Sequence, residues 1–521
     1  MNELETAVQR DFGVIAELVR VHAREAPTSP ALVDGQRALD YGGLDALMDR
    51  IAAALQRDGL KAKDTIAICA ASSVDYAAVF LGALRAGIAV APLAPGSSQA
   101  SLARMMSDAE ARMLFVDSGS AEAIGTAANS GIPRIALNGS LAGRGFDDWL
   151  APAGSIPQPV DVQSHWPLNI IYSSGTTGEP KGIVQGHGMR WAHVQRGAKY
   201  AYGRGKVTLL STPLYSNTTL VIFFPSIAFG NCVVLMPKFD AAGYLKLAEQ
   251  HRVTHTMLVP VQYQRIMANP DFDRHDLSSF LFKFSTSAPF NPALKADVLA
   301  RWPGGLVEFY GMTEGGGTCI LEAHLHPDKL HTVGRPAEGS DIRLIDEEGL
   351  EVPPGGAGEV VGSSAGMMVG YHGQPERTAE AEWFDATGKR FIRTGDIGRF
   401  DEDGFLTLFD RKKDMIISGG FNIYPSDLEA VLHAQPAVAD AAVVGVPSEQ
   451  WGETPVAFVV RRAGDDTPAD ALLQAVNAQL GKTQRLARLQ FIDELPRSPI
   501  GKVLKRELRD SYGQAAAPGP P

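Results

Sequence analysis

The stretch IYSSGTTGEPKG, residues 171–182, says most about the fold and chemistry of this chain. It places two serines, two threonines, three glycines and one lysine directly after an apolar run. Glycines let backbone N–H groups turn toward an anion, hydroxyl groups can donate to phosphate oxygens, and a lysine adds positive charge. The composition indicates a phosphate-binding loop of a nucleotide enzyme, although composition alone fits an exposed flexible loop equally well.

The loop lacks the spacing of a Walker motif, in which GxxxxGK is followed by Ser or Thr and opens a helix. Lys181 follows Glu179 and Pro180 and precedes Gly182, so this lysine is in the wrong place for that pattern. A conventional P-loop ATPase is therefore disfavoured.

Length and composition bound the class of protein. The chain of 521 residues has room for several structural units, and 45% hydrophobic with 21% charged residues excludes disorder throughout. A net charge of −11 disfavours nucleic acid as the main partner, because nucleic-acid binding needs a clustered positive surface. A local basic pocket for an anionic ligand remains compatible with that charge.

The cysteines and apolar stretches predict a soluble cytoplasmic protein. Cys69, Cys232 and Cys319 are widely spaced and form no CxxC pair, so neither a disulfide framework nor a structural zinc site is expected. The first residues carry acids and no apolar core, unlike a secretory signal. Apolar stretches such as residues 220–230 are too short and proline-broken to span a bilayer.

Alternating helix and strand patterns in the first half predict an α/β fold with layered, largely parallel sheets. From residue 333 to 409, short strands broken by Gly, Pro and Asp turns predict a small β-rich subdomain. A compact α+β unit follows the charged segment DRKKD. The predicted division is an N-terminal domain at 1–409, a hinge at 410–414, a C-terminal domain at 415–512 and a flexible tail at 513–521.

Further motifs follow the loop in order along the chain. They are SAPF (287–290), YGMTEGGG (310–317), GEVV (358–361), RTGD (393–396), DRKKDMIISGGFNIYP (410–425) and PRSPIGK (496–502). Together with SSGTTGEPKG, this order resembles the adenylate-forming superfamily of acyl-CoA synthetases, peptide-synthetase adenylation domains and luciferases. The resemblance implies a large N-terminal domain and a small mobile C-terminal one. It also implies that a carboxylate attacks the α-phosphate of ATP to give an acyl-adenylate and pyrophosphate, after which a thiol displaces AMP.

The resemblance assigns the nucleotide contacts. The loop is expected to clamp the β- and γ-phosphates, and SAPF and the start of YGMTE to contact adenine. The loop residues are Ser173, Ser174, Gly175, Thr176, Thr177, Gly178 and Lys181; the adenine residues are Ser287, Ala288, Pro289, Tyr310 and Gly311. Asp396 is expected to accept hydrogen bonds from the ribose hydroxyls, as a carboxylate with two acceptor oxygens suits a vicinal diol, and Arg411 to support the same sugar.

Three residues are expected to carry the chemistry. The resemblance places Thr313 against the α-phosphate and Glu314 on Mg²⁺, a hard cation that prefers oxygen ligands. Lys502 matches the family's catalytic lysine, whose point charge can bridge the carboxylate and the α-phosphate. Outside this family context, Glu314 would be an ordinary turn residue and Lys502 a surface residue.

The second half-reaction is expected to use the segment around residue 413. Lys413 is where family members carry the hinge residue. Gly419 and Gly420, with Phe421, are expected to line the passage for the pantetheine arm of coenzyme A. Acylation of Lys502 by a regulatory protein acyltransferase would remove its charge, and is a hypothesis that the sequence does not test.

The expected acyl pocket is formed by Tyr215, Ser216, Asn217, Val259 and Phe309. No acidic residue occurs from 207 to 238, which argues against an amino-acid substrate, because a buried ammonium would lack a partner. The mixture of apolar and hydroxyl groups fits a hydroxycinnamate-like aryl acid or a medium-chain fatty acid. Phe309 is bulkier than the glycine of many aryl ligases, so the pocket is expected to be shallower or differently oriented.

Coenzyme A is the favoured acceptor, because no carrier-like serine follows Lys502. Loading of a separate carrier protein is the alternative within the superfamily. A non-catalytic nucleotide-binding relative is a further alternative, which the joint presence of Lys502, Glu314 and Asp396 disfavours. The oligomeric state cannot be read from the sequence.

Overall fold

A computed structural model describes residues 3–35, 37–124, 131–174, 180–411, 414–418, 421–448, 451–481, 484–498 and 501–516. At residues 123, 173–174, 180, 410–411, 421–422 and 513–516 it describes the backbone alone. The chain divides into two compact units, residues 1–342 with 362–392 and residues 343–361 with 393–521. The predicted boundary and hinge at 410–414 stay predictions.

Helices and strands alternate through most of the chain, as predicted. The helices are α1 (Glu3–Val8), α2 (Ile15–Glu25), α3 (Tyr41–Arg57), α4 (Val74–Arg85), α5 (Gln99–Asp108), α6 (Ser118–Ile124), α7 (Phe146–Trp149), α8 (His187–Gly197), α9 (Asn217–Phe229), α10 (Ala241–Gln250), α11 (Pro260–Met267), α12 (Pro292–Arg301), α13 (Pro375–Glu380), α14 (Pro425–His433), α15 (Ala469–Asn477) and α16 (Lys505–Ala516). Short 3₁₀ turns span Ala198–Tyr200 and Phe272–Arg274.

The strands are β1 (Pro30–Val33), β2 (Ala38–Asp40), β3 (Thr65–Cys69), β4 (Ala89–Pro92), β5 (Ala111–Val116), β6 (Arg134–Ala136), β7 (Arg144–Gly145), β8 (Pro167–Ser174), β9 (Pro180–Gly186), β10 (Val207–Leu210), β11 (Cys232–Leu235), β12 (His255–Leu258), β13 (Phe282–Ser285), β14 (Gly305–Tyr310), β15 (Cys319–Glu322), β16 (Arg335–Pro336), β17 (Asp341–Ile345), β18 (Gly358–Ser363), β19 (Gly370–Tyr371), β20 (Glu382–Phe384), β21 (Arg390–Phe400), β22 (Leu406–Arg411), β23 (Ile416–Ser418), β24 (Phe421–Ile423), β25 (Val438–Ser448), β26 (Gly452–Arg461) and β27 (Arg488–Ile492).

Two large sheets form the framework of the first unit. One has the order β16-β15-β14-β13-β12-β10-β11-β1-β2, and the other β19-β9-β8-β4-β3-β5-β6-β7. Pairing is parallel through β14-β13-β12-β10-β11-β1 and through β8-β4-β3-β5-β6-β7. The antiparallel pairs lie toward the edges: β14–β15, β15–β16 and β1–β2 in the first sheet, and β8–β9 and β9–β19 in the second. The predicted α/β fold with largely parallel sheets is confirmed.

Two smaller sheets account for the remaining strands. The third sheet has the order β17-β18-β21-β20, with β22 paired to β21, and its strands correspond to the predicted β-rich subdomain. The division between the compact units falls within β17, β18 and β21. The fourth sheet, β24-β23-β26-β25 with β27 on β26, packs with α14 and α15 around a separate apolar cluster.

Helix α9 lies in the main core of the first unit. Its residues from Leu220 to Phe224 are apolar, and Leu220, Phe223 and Phe224 have no exposed surface. A helix that is apolar on every side is stable only when it is buried on every side. It ends at Gly230, whose φ of +89° suits a left-handed C-cap. Among the described residues, no helix is long and apolar enough to cross a bilayer.

Candidate functional site

The glycine-rich segment joins two antiparallel strands. Ser173 at the end of β8 is in register with Lys181 at the start of β9. The connection therefore returns as a strand, whereas a Walker loop opens a helix. Gly175, Thr176, Thr177 and Gly178 lie outside the described residues, as do the side chains of Ser173 and Ser174.

Lys181, Tyr371 and Glu314 form a cluster, called here the glutamate cluster. The Tyr371 hydroxyl donates to Glu314 Oε1 at 2.8 Å, and Lys181 Nζ lies 5.1 Å from the centre of the Tyr371 ring. Burial and the neighbouring Glu314 charge raise the pKa of Tyr371, so its hydroxyl stays a donor. The structure thus brings the lysine of the first motif and the glutamate of YGMTE to one tyrosine.

The backbone holds Glu314 in place beside this cluster. Its carbonyl oxygen accepts from the Met368 N–H at 2.8 Å, just before β19. The next residue, Gly315, has φ of +76°, and a side-chain carbon there would meet the Gly366 carbonyl oxygen at 1.8 Å. Only glycine combines that φ with so close an approach, which explains the glycine after YGMTE.

A buried polar network reaches the neighbouring Thr313, and is called here the glutamine network. Gln185 on β9 donates from Nε2 to the Thr313 carbonyl oxygen at 2.6 Å and to Asn217 Oδ1 at 3.1 Å. Its Oε1 accepts from Asn169 Nδ2 at 2.8 Å and from the Arg190 guanidinium. Asn169, Gln185 and Arg190 have no exposed surface. Burial lowers the pKa of Arg190 to about 9, which leaves it charged at neutral pH.

Three of the five predicted acyl-pocket residues, Tyr215, Ser216 and Asn217, lie at the start of α9. Ser216 is the N-cap residue, Asn217 is the first residue of the helix, and Tyr215 precedes them half-buried. Val259 is the buried N-cap residue of α11, and its N–H donates to Gln262 Oε1 at 3.1 Å. Burial raises the pKa of Tyr215, so this phenol is neutral at physiological pH.

The SAPF segment is fastened to α9 through Ser287. Its hydroxyl and that of Thr218 form a hydrogen bond of 2.5 Å. Ser287 has φ of +82°, an uncommon value for a residue with a side chain. Such backbone outliers cluster at functional sites. Ala288 is half-buried and Pro289 is exposed.

Phe309 and Tyr310 end β14 and are both half-buried, and Gly311 directly after them is exposed. The Phe309 ring stacks on Phe284 with a centroid distance of 5.5 Å and meets Tyr200 edge-on at 6.1 Å. Consecutive strand residues point to opposite faces, so Phe309 and Tyr310 face different sides of the sheet. This arrangement suits their predicted roles in the acyl pocket and against adenine.

In the second unit, Asp396 on β21 is in register with Arg411 on β22. The Asp396 N–H donates to Thr394 Oγ1 at 3.0 Å, and that hydroxyl donates to the Val360 carbonyl oxygen at 2.8 Å. Arg393 holds Glu359 through two hydrogen bonds, of 3.1 and 2.5 Å. The motifs GEVV and RTGD therefore form one hydrogen-bonded unit, and the predicted ribose residues lie on adjacent strands.

Lys502 lies on a tight, well-braced turn of the second unit, and its side chain is exposed. Its carbonyl oxygen accepts from the Ser498 N–H at 2.8 Å, and its N–H donates to Ser498 Oγ at 3.2 Å. Arg497 donates to the Gly501 carbonyl oxygen at 2.6 Å and to Asp440 at 2.6 Å, which ties the turn to β25.

Most of the other residues predicted for the second half-reaction lie outside the part of the chain that the structure describes. Lys413, Gly419 and Gly420 lie outside the described residues, and so does the side chain of Phe421, whose backbone belongs to β24. The hinge and the coenzyme A passage therefore stay predictions.

Comparisons with known proteins identify the class. The model of the AMP-binding enzyme family matches residues 19–372, and the model of its C-terminal domain matches residues 427–502. A fatty acid–[acyl-carrier-protein] ligase of Streptomyces coeruleorubidus is 32% identical, over 96% of this chain and 96% of the relative. A feruloyl-CoA synthase of an Amycolatopsis species is also 32% identical, over 94% of this chain and 97% of its own. The crystal structure of ATP-bound MatB from Rhodopseudomonas palustris superposes with a TM-score of 0.86 at 28% identity, over 96% of this chain and 100% of that one.

The chain belongs to the AMP-binding enzyme family, within the adenylate-forming superfamily that its motifs predict. The predicted enzyme class, an AMP-forming acid–thiol ligase, is confirmed with it. The roles given above to single residues stay predictions.

Three contributors were not predicted from the sequence, namely Tyr371, Gln185 and Thr218. Tyr371 is far along the chain from Glu314, and no local pattern connects the two. Gln185 did carry a signal, because it directly follows the apolar Ile183 and Val184, and a glutamine that is buried with them needs partners. Thr218 follows directly after the predicted Asn217, and its role appears only through the contact with Ser287.

Proposed function

We propose that the protein is an ATP-dependent carboxylic acid:CoA ligase acting on an aryl, hydroxycinnamate-like acid or a medium-chain fatty acid. A carboxylate oxygen attacks the α-phosphorus, the bond to the bridging oxygen breaks, and pyrophosphate leaves. The thiol sulfur of coenzyme A then attacks the acyl carbon, and AMP leaves. The observation that carries the proposal is the glutamate cluster, because it gathers a cation, a carboxylate and a phenol donor from motifs far apart in the chain.

The residue roles follow from the chemistry of each group. Thr313, whose carbonyl oxygen accepts from Gln185, contacts the α-phosphate in this proposal. Lys181 supplies positive charge to the departing pyrophosphate, and Asp396 with Arg411 holds the ribose. Lys502, on its braced turn, supplies the cation that offsets charge at the carboxylate and α-phosphate during adenylation.

Magnesium fits the groups that are present. Among the described residues, no set of three or more His, Cys, Asp or Glu side chains could enclose a metal. Mg²⁺ is usually held by one or two carboxylates together with substrate phosphates and water. Glu314 keeps Oε2 without a hydrogen bond inside the described part of the chain, so it would hold the ion. Bound Mg²⁺ would offset negative charge on the phosphates.

Coenzyme A is the proposed acceptor. The feruloyl-CoA synthase relative supports it, and it also supports an aryl acid. The ligase from Streptomyces coeruleorubidus favours the alternative, which is transfer of a fatty acyl group to a carrier protein. The cytoplasmic location and the acylation of Lys502 belong to the same proposal; the free cysteines suit a reducing compartment.

A panel of carboxylic acids, scored by pyrophosphate release with and without coenzyme A, tests the proposal. We expect release with aryl or medium-chain acids, followed by a CoA thioester when coenzyme A is present. Carrier protein supplied in its place discriminates the alternative acceptor. Absence of release with every acid would mean a non-catalytic nucleotide-binding relative.

A further inference from the structure

Arg497 joins the segment that carries Lys502 to strand β25. From one guanidinium, Nη1 donates to the Gly501 carbonyl oxygen at 2.6 Å and Nη2 donates to Asp440 Oδ2 at 2.6 Å. Gly501 is the residue directly before Lys502, and Asp440 lies in β25. Because a guanidinium is planar and rigid, the two hydrogen bonds together hold the Gly501 backbone at a set place relative to the strand.

Strand β25 is a firm support for this segment. It pairs with β26 from Val438 to Ser448, and its buried face belongs to an apolar cluster in the second unit. Leu495 is a member of that cluster, and Val503 packs against it. Chain on both sides of Lys502 is therefore attached to the same sheet through apolar contacts.

Local hydrogen bonds shape the backbone at Lys502. Ser498 exchanges two bonds with Lys502, and its carbonyl oxygen accepts from the Gly501 N–H at 2.8 Å. Gly501 has φ of +76°, a conformation that glycine adopts readily. These bonds join residues close in sequence, so they set the shape of the segment. The bond from Arg497 to Asp440 joins residues 57 apart in the chain, so it sets the place of the segment on the unit.

The exposure of the Arg497–Asp440 pair indicates what the pair contributes. The two side chains are 26% and 25% exposed, and ion pairs with such access to water add little to overall stability. The Asp440 carboxylate also balances the charge of Arg497, so this guanidinium is not a spare cation for a phosphate. An ammonium on a flexible stem reaches its target only from a correctly placed backbone, and a misplacement of about 1 Å can cost about 100-fold in rate.

We infer that Arg497 is a positioning residue for the adenylation step, and that it places Lys502 through its bonds to Gly501 and Asp440. The inference rests on the role proposed for Lys502. Arg497 acts through the lysine and makes no contact with the acid or the nucleotide. Its loss should therefore affect the half-reaction that uses Lys502 and spare the other.

Arg497→Met tests the inference, because methionine keeps much of the stem and removes the guanidinium. We expect kcat for pyrophosphate release to fall about 10- to 100-fold, while thioester formation from a supplied acyl-adenylate keeps its wild-type rate. Arg461→Met is the matched control. Arg461 is a half-buried arginine of β26 whose guanidinium carbon lies 3.9 Å from the centre of the Phe491 ring, and both rates should stay unchanged in this variant. Equal loss in both half-reactions of Arg497→Met would mean a structural role and overturn the inference.

A double variant shows whether Arg497 acts through Lys502. Added to Lys502→Ala, Arg497→Met should lower adenylation by less than about threefold, because the residue that it places is already gone. A further loss as large as in the wild-type background would overturn the inference. Full adenylation in Lys502→Ala would remove the proposed role of Lys502 itself. Full adenylation in Arg497→Met, with Lys502→Ala impaired, would overturn the positioning role alone.

Two milder variants cover the case in which Arg497→Met fails to fold. Asp440→Ala leaves the arginine in place and removes its carboxylate partner, and should slow adenylation several-fold without slowing thioester formation. Arg497→Lys keeps the charge but lacks the fork that reaches two acceptors, so it should recover only part of the rate lost in Arg497→Met. Unchanged adenylation in Asp440→Ala, or the wild-type rate in Arg497→Lys, would contradict the assignment.

Discussion

The glutamate cluster and the cavity between α8, α9 and the end of β14 belong to the same unit but differ in how their charges are balanced. Glu314 has a phenol donor at 2.8 Å, and the lysine over that phenol ring brings a cation to the same cluster. In the cavity, Arg196 has no carboxylate partner among the described residues, and two tyrosine hydroxyls have no acceptor. The polar groups of the first region have partners within the protein, whereas the two tyrosine hydroxyls of the second have none among the described residues.

Because of this difference, substitutions in the two regions should have different effects on activity. The nucleotide end handles a part of the reaction that every acid shares, so a change there should affect all acids alike. A change at the predicted acyl pocket should affect acids according to the group that they carry away from the reacting carboxylate. The proposed chemistry is thus general at one end of the site and selective at the other.

Lys502→Ala should have the largest effect. Loss of a transition-state cation costs about 10²- to 10³-fold in rate, so acyl-adenylate formation should fall by that factor for every acid tested. Thioester formation from a supplied acyl-adenylate should be retained, because the adenylate is already made. Pyrophosphate release and thioester formation, measured separately, check this. A loss that depends on the acid would break the contrast between the two ends, and survival of both half-reactions would remove Lys502 from catalysis.

Tyr371→Phe should have an intermediate effect, again equal for all acids. The variant removes the hydrogen bond to Glu314 and keeps the ring beneath Lys181. Groups that orient a metal ligand affect metal affinity or activity by about 10- to 100-fold, so the Mg²⁺ concentration needed for half-maximal adenylation should rise within that range. Tyr244→Phe removes another buried tyrosine hydroxyl, bonded to Thr256 at 2.8 Å, and is the matched control. An unchanged Mg²⁺ requirement in Tyr371→Phe would separate Glu314 from the metal.

The contrast also explains what could be predicted from the sequence. The fold class follows from the alternation of elements, since parallel sheets need alternating strands and helices, and the proposed nucleotide end follows from short motifs, since phosphate loops need glycine and hydroxyl residues at close spacing. Asp396 and Arg411 were predicted as a pair, and they are in register on neighbouring strands.

The cavity between α8, α9 and the end of β14 has no such local pattern. Arg196, Tyr200 and Tyr202 come from one segment, but they meet Val221 and Phe309 only after α9 and β14 have packed. Tyr371 reaches Glu314 because β19 pairs with β9, a pairing between segments almost 190 residues apart, as Tyr371 and Ile183 show. Contacts of this kind depend on tertiary pairing, which one sequence does not specify by local periodicity.

Gln185→Glu should have the smallest effect. It tests the residue that bonds both to Thr313, at the proposed nucleotide end, and to Asn217, at the predicted acyl pocket. The variant keeps an acceptor for Arg190 and Asn169, so the buried guanidinium gains a counter-charge and the fold is retained. It removes the donors to the Thr313 carbonyl oxygen and Asn217 Oδ1 and turns a carboxylate oxygen toward them. Loss of these bonds should slow adenylation about tenfold for every acid, without a change in the preference among acids. Gln195→Glu, on the same helix as Arg190 but with its side chain bonded to the Val8 and Arg10 carbonyl oxygens, is the matched control. An altered acid preference in Gln185→Glu would mean that the network controls the acyl pocket through Asn217 more than the nucleotide end through Thr313.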